Sequence, residues 1–208
     1  MALLLTPYQL RFCPARYLDE RHLSGSIREV LAGLAQWREQ SRLNAWLLEE
    51  LSLSTDFRMP EALGGLALYP QAAFELTLGY LGGLLHGQAM RQLLRASDVQ
   101  PVREAIGEAG HRYCLEQLDL IIGRWPAGWQ QRLPHGSLQG YFQACGLQFW
   151  LFALGSVDEG YTRRLALRLA PHAQLSTLLA DAENQPLARA LCLKVARQVS
   201  PECFHLLK

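Results

Sequence analysis

Ser137-Leu-Gln-Gly-Tyr-Phe-Gln-Ala-Cys-Gly-Leu-Gln-Phe-Trp-Leu-Phe-Ala-Leu154 is the stretch that decides the fold class. Leu138, Tyr141, Phe142, Cys145, Phe149 and Phe152 recur at helical spacing, so the run reads as a helix with a broad apolar face. It lies in an uncharged segment from Leu133 to Val157, long enough to cross a bilayer, which takes ~20 residues. Pro134, His135, Gln139, Gln143 and Gln148 interrupt that segment with groups that hydrocarbon does not satisfy. The helix is therefore expected inside a protein core, with Ser137 as its N-cap. Such a helix needs other elements to cover it.

The rest of the chain supplies helices. Ser26 and Glu29 have the spacing of a capping box. Behind them Ile27, Val30, Leu31 and Leu34 form one stripe, extended by Trp37. Ser41 caps a second helix, with Leu43, Trp46, Leu47 and Leu51 on one face and Glu49 and Glu50 on the other. Residues 54–70 are punctuated by Asp56, Pro60, Gly64, Gly65 and Pro70 and read as irregular. Leu66–Tyr69 within them is the single candidate strand. Pro70 suits the first turn of a helix through Phe74, Leu78, Leu81 and Leu85, with a break near Gly82-Gly83. Ser97-Asp98 and Pro101 open a helix towards Leu120. Gly123–Trp129 is a loop. Ser156 and Glu159 form a second capping box, ahead of Tyr161, Leu165 and Leu169 and a stop at Pro171. Pro186 opens a last long helix, ended by Pro201. The expected fold is all-α: a single compact multi-helix domain over residues 1–208 with irregular connecting loops.

Composition narrows the function. Half of the 208 residues are hydrophobic, which is globular composition. Twenty basic against nineteen acidic residues give a formal charge of +1, so there is no general attraction to nucleic acid or an anionic membrane. The five cysteines, Cys13, Cys114, Cys145, Cys192 and Cys203, are odd in number and irregularly spaced, as expected of free thiols in a reducing compartment. The opening Met1–Pro7 lacks the basic region and the apolar length of a secretory signal. The only lysines, Lys194 and Lys208, leave no P-loop.

Catalytic patterns are missing as well. Neither Cys-x-x-Cys nor His-Glu-x-x-His occurs. His111 with Cys114, and Cys203 with His205, are each half a zinc site at most, and no metal is expected. His135-Gly-Ser137 lies where capping explains the serine better than nucleophilic attack does. Cys145 sits on an apolar face that disfavours a thiolate. Glu49-Glu50 and Asp158-Glu159 are adjacent residues pointing in different directions, not acid–base couples. No catalytic residue and no cofactor is assigned.

Three features point to binding instead. Gly79, Gly83 and Gly87 are spaced by four on one helical face, and each costs ~1 kcal/mol in a helix. Close internal packing is the first explanation and a groove for a partner helix the second. Trp125 and Trp129 stand between Arg124 and Arg132, residue types enriched at interface hot spots. The bland explanation is that the tryptophans pin their loop to the core. Arg163, Arg164 and Arg168 read as a basic stripe: a solvated face first, a contact for an acidic protein second.

A family resemblance runs end to end. It rests on Gln9-Leu-Arg-Phe-Cys-Pro-Ala15, on Leu43-Asn-Ala-Trp-Leu-Leu-Glu-Glu50 with Thr55-Asp56, on Leu85-His-Gly87 and on Ile122-Gly-Arg-Trp-Pro126 with Trp129-Gln130. Gly146-Leu-Gln-Phe-Trp-Leu151, Arg164-Leu-Ala-Leu-Arg-Leu169, Pro186-Leu-Ala188 and Pro201 to Lys208 complete it. In these words the chain resembles the SctK (YscK/PscK) family of type III secretion sorting-platform accessory proteins. The resemblance implies a helical adaptor in the bacterial cytoplasm, peripheral to the injectisome. It would link the cytoplasmic domain of the SctD-type inner-membrane ring protein to the SctQ-type pod protein, with the SctL stator and SctN ATPase further in. It implies neither nucleic-acid binding nor membrane insertion, and it brings no residue set with it. Two other classes remain for comparison: a helical enzyme assembled from His86, His111 or Cys114, and a secretion chaperone. Chaperones of that kind are smaller and acidic, unlike this near-neutral chain.

Overall fold

The computed structural model describes residues 4–172 and 181–208; the opening Met1–Leu3, part of the stretch read for a signal, lies outside them. In chain order the helices are α1 (Pro7–Phe12), α2 (Gly25–Ala32), α3 (Ser41–Glu50), α4 (Gln71–Leu84), α5 (Gly87–Arg91), α6 (Ala96–Gln117), α7 (Tyr141–Leu154), α8 (Glu159–Leu167) and α9 (Gln185–Val199). Short 3-10 turns join them, and no strand occurs among the described residues.

The decisive stretch is a core helix. Most of α7 is buried, including Tyr141, Phe142, Phe149 and Trp150. It packs on α4 and α9, and α4 in turn packs on α6 and α9. Among the described residues no helix is long and apolar enough to cross a membrane. The α4–α7 contact is a close antiparallel approach. A methyl group at Gly82 would lie 1.9 Å from the Phe142 carbonyl oxygen, and one at Gly146 would lie 2.0 Å from that of Leu78. Only glycine lets the two backbones meet there.

A second, smaller core lies to one side. Ala15, Leu18, Leu23, Leu31 and Leu47 are buried together between α2, α3 and the preceding turns. Asn44 ties it down: its Oδ1 accepts the Ala15 N–H at 2.9 Å and its amide donates to the Gln40 carbonyl at 3.0 Å. The Arg38 guanidinium lies over Trp37 and donates to the carbonyls of Ala15 and Leu18.

Several local expectations need correction. The cap of α2 is Ser24, whose oxygen accepts the Ile27 N–H, and that of α8 is Asp158, not Ser156. Ser137 accepts the Gln139 N–H in a turn before α7, which begins after Gly140 in a left-handed conformation. The strand expected at Leu66–Tyr69 is largely a 3-10 helix, Gly64–Leu68, with Tyr69 capping it. Its run is apolar on every side because it is enclosed on every side, beneath the C-terminal turn Pro201–Leu207; Gly65 lies against the Leu206 carbonyl. Gly82-Gly83 stays helical, and the chain breaks at Leu85-His86 instead. The helix expected from Ser97 carries a non-helical Gly107 (φ 77°). Pro186 and Pro201 bound α9 as expected.

Candidate functional site

The tryptophan loop is bolted to the core. Trp129 is fully buried, with its ring edge-to-face against Phe149 at 4.7 Å and Phe152 at 6.2 Å. The Trp125 indole donates to the Leu118 carbonyl at 2.6 Å. Gln130 reaches the Leu84 carbonyl, and the Gln131 N–H reaches that of Leu85. Trp129 is thus out of a partner's reach. Arg124 and Arg132 remain exposed, beside the half-buried Trp125.

The basic stripe on α8 is divided. Arg164 and Arg168 are buried. Arg164 donates to the carbonyls of Leu10, Arg11 and Gly160 and lies over Phe57. Arg168 donates to the carbonyls of Ala67 and Tyr69 and to Gln71, and lies over Phe74 at 4.0 Å. Neither has a carboxylate within ion-pair distance among the described residues. Burial lowers both basicities, that of Arg168 to about 10. They fasten α1 and the Gly64–Leu68 turn to α8, and the solvated-stripe expectation fails for them. The periodicity held the signal: residues 164 and 168 fall within the Tyr161/Leu165/Leu169 face, whereas residue 163 falls opposite. Arg163 is exposed, and its guanidinium closes onto the carbonyls of Leu51 and Ser52.

The glycine stripe is internal. A methyl at Gly83 would meet the Cys114 sulfur at 2.6 Å, and one at Gly87 would meet Leu118 Cδ1 at 2.7 Å. Gly79 is buried at ordinary contact distance from Gln143. All three glycines face side chains of this same chain: Gln143, Cys114 and Leu118. The close helix–helix approaches at Gly82 and Gly146 escaped the sequence reading because each belongs to a different helix.

The dispersed histidines and thiols do not assemble. The Nδ1 of buried His86 is 2.8 Å from the Gly82 carbonyl, which makes it the donor, and Nε2 faces the Tyr141 hydroxyl at 3.2 Å. Burial lowers the pKa of His86 and of His111. Burial also pushes the thiols away from reactivity, Cys114 to about 12 and Cys145 to about 11. Among the described residues no group of three or more His, Cys, Asp or Glu is placed to hold a metal ion.

Exposed apolar surface is a different matter, and the sequence reading did not single it out. Val30 (65 % exposed), Leu34 (42 %) and Trp46 (36 %) rim a groove of about 350 Å³ between α2 and α3, floored by Leu31 and Leu43. A second groove, about 560 Å³, lies between the start of α4 and the end of α9, beside Leu4 and Leu76. Tyr8 and Phe12 stack at 4.9 Å on the outer face of α1.

The family model described as "YOP proteins translocation protein K (YscK)" matches residues 4–208. The chain belongs to the YscK family. It is 41 % identical over 204 residues to the Yop proteins translocation protein K of Yersinia pseudotuberculosis serotype I (strain IP32953) and to that of Yersinia enterocolitica, covering 98 % of this chain and of each relative. Among solved structures, the cytoplasmic domain of the type III secretion sorting-platform protein PscK from P. aeruginosa is similar at 56 % identity. Its TM-score is 0.80, over 98 % of this chain and 99 % of that one. This YscK-family chain is therefore a type III secretion protein with the helical fold of a sorting-platform component.

Proposed function

We propose that this chain is a non-catalytic cytoplasmic scaffold of the injectisome sorting platform, acting as one body. In this reading it links the cytoplasmic domain of the SctD-type ring protein to the SctQ-type pod protein, with the SctL stator and SctN ATPase reached only through the pod. The observation that carries it is the likeness, over nearly the whole of both chains, to a sorting-platform protein. The interior supports it: the histidine and thiol groups that an enzyme would use are buried, and the buried arginines hold the frame together. The exposed Arg124 and Arg132, flanking Trp125, form one proposed contact.

The test is a pull-down of the folded protein with the ring protein's cytoplasmic domain and the pod protein, singly and together. Saturable binding to both at once is expected. Arg124→Glu with Arg132→Glu should weaken one of the two by tenfold or more, with no change in melting temperature. Binding to neither partner would overturn the scaffold reading.

A further inference from the structure

We infer that the charged pocket between the turns after α1, the first turn of α2 and the first turn of α4 takes an acidic segment of a partner protein, with Arg16 and Arg28 meeting its carboxylates. The inference rests on the scaffold reading, which requires two partner surfaces, the Arg124 and Arg132 contact being one. The pocket has a volume of about 520 Å³, and most of its lining residues are charged.

The charges in the lining form pairs, and the pairs leave cations over. Arg21 holds Asp19 through two hydrogen bonds, at 2.9 and 2.6 Å. Arg38 holds Glu20 at 2.7 Å and is itself fixed by the Ala15 and Leu18 carbonyls. Glu75, the third acid, accepts a hydrogen bond from Gln71 and lies within electrostatic reach of Arg21 and of the buried Arg168. Arg168 stands behind the pocket wall, bonded to Gln71. Each acid in the lining thus has a cation of its own, and Arg16 and Arg28 remain. Arg16 reaches Glu39, outside the lining, at 4.0 Å, with both side chains open to water, where such a pair holds weakly. Arg28 has no side-chain hydrogen bond and no ion pair among the described residues.

Arg28 also conflicts with its own helix. It lies in the first turn of α2, at the positive end of the helix dipole, and no acid accompanies it there. The positions three and four residues away on α2 hold Ser24, Gly25, Leu31 and Ala32, which supply no carboxylate. The guanidinium folds back over the turn: a methyl group at Gly25 would lie 4.0 Å from one of its terminal nitrogens. Arg16, Arg28 and the helix dipole therefore raise the potential of one pocket in the same direction. An anion seated there removes a conflict that the fold by itself leaves standing.

The lining selects among anions. Asp19, Glu20 and Glu75 are spread between the arginines, so a compact, multiply charged phosphate meets like charge beside every cation. Tyr17, the one aromatic residue of the lining, is buried and offers no open face to a nucleobase. The whole chain carries +1, too little to hold a polyanion or an anionic lipid surface. A peptide segment carries single carboxylates at intervals, each able to take a bidentate contact from a guanidinium. Its N–H groups suit the acids that lie between.

The experiment uses the whole chain with the ring protein's cytoplasmic domain and with the pod protein. Lys194 and Lys208 are the only lysines, so Arg28→Lys puts a new amine into the pocket and keeps its charge. A carbodiimide joins that amine only to a carboxylate in direct contact, and mass spectrometry reads which one. The expected result is one predominant intermolecular product, from position 28 to an Asp or Glu of one partner with further acids within a few residues. Arg16→Glu/Arg28→Glu should weaken binding of that partner by tenfold or more. Its melting temperature should hold or rise, because an acid at position 28 suits the helix dipole. Arg28→Lys should bind within threefold of the parent. Parent-like binding of both partners by the double reversal overturns the inference. So does an absent product, one scattered over many carboxylates, or displacement of the partner by inorganic phosphate beyond that by chloride at equal ionic strength. In those cases binding by the parent keeps the scaffold reading, and the pocket alone falls. A parent that binds neither partner ends both.

Discussion

At the centre of the molecule α4 and α7 approach so closely that neither Gly82 nor Gly146 has room for a methyl group. At its edge α2 and α3 cover five buried residues and leave Val30 65 % exposed. Both regions are pairs of helices with apolar faces, yet the facing surfaces of one meet at the backbone and those of the other leave a groove. The closed pair has neighbours in α6 and α9. On the open side Asn44 of α3 and Arg38 tie to the backbone of Ala15 and Leu18, and neither tie reaches α2. α2 therefore rests on its apolar contacts with the small core, without the backbone contact that seats α4 against α7. The difference separates a contact sealed at the backbone from one that stays open at its rim.

The strongest way to break this comparison is at the closed contact. Gly82→Ala and Gly146→Ala each place a Cβ within 2.0 Å of a carbonyl oxygen on the facing helix, so the helices have to move apart along their whole length. A loss above ~5 kcal/mol is expected, enough to consume the stability of an ordinary domain. Neither variant should give a cooperative thermal transition. A Gly82→Ala protein that melts within a few degrees of the parent would mean that the helices are not in contact there.

A milder pair of variants sharpens the comparison. Leu78→Ala in α4 and Leu31→Ala in α2 remove the same atoms from fully buried positions. Leucine-to-alanine changes cost ~2–5 kcal/mol, and the spread follows the cavity that remains. Around Leu78 the walls are helices that cannot close in, so the upper end is expected. Around Leu31 the open groove lets neighbours and water enter, so the lower end is expected. Urea unfolding with equal m-values would measure the difference. Equal losses would mean that the small core is as enclosed as the large one.

The same contrast explains what the sequence made legible. Periodicity found the helices because their apolar faces repeat with the helical period, and the prolines at 186 and 201 marked α9 because a ring without an N–H fits only at a helix boundary. It misplaced the caps at Ser26 and Ser156 because the oxygens of Ser24 and Asp158 are equally good acceptors for a first-turn N–H, and only the backbone path chooses between them. It read Leu66–Tyr69 as a strand because a short apolar run has no period of its own; enclosure by the C-terminal turn is a tertiary fact. Residue type alone points Arg164 and Arg168 to the surface, whereas their spacing places them inward. The α2–α3 groove was invisible for a different reason. An over-wide apolar stripe looks the same whether its outer half meets the chain's own core or a partner.

The smallest effect tests whether the closed region is as dry as its geometry implies. His86 is buried beside the Gly82 carbonyl, edge-on to Tyr141 and Phe142, and burial holds its pKa below the usual 6.5. The folded chain therefore keeps the ring neutral where the unfolded chain protonates it. The contribution of His86 is fully present above pH 6.5 and is lost as pH falls below that value, by up to ~1.4 kcal/mol per pH unit for one proton. Asp19, the described carboxyl whose pKa is clearly lowered, gives up its contribution only nearer pH 4, so the window from pH 7.5 to 5.5 isolates the imidazoles. Urea midpoints across that window should fall in the parent. His86→Gln should be less stable throughout but flatter, and His111→Gln should flatten the curve through its own buried ring. A parent curve level from pH 7.5 to 5.5 would mean that the space around His86 takes up a proton as readily as water does. The central helices would then not be closed in the way that sets them apart from α2 and α3.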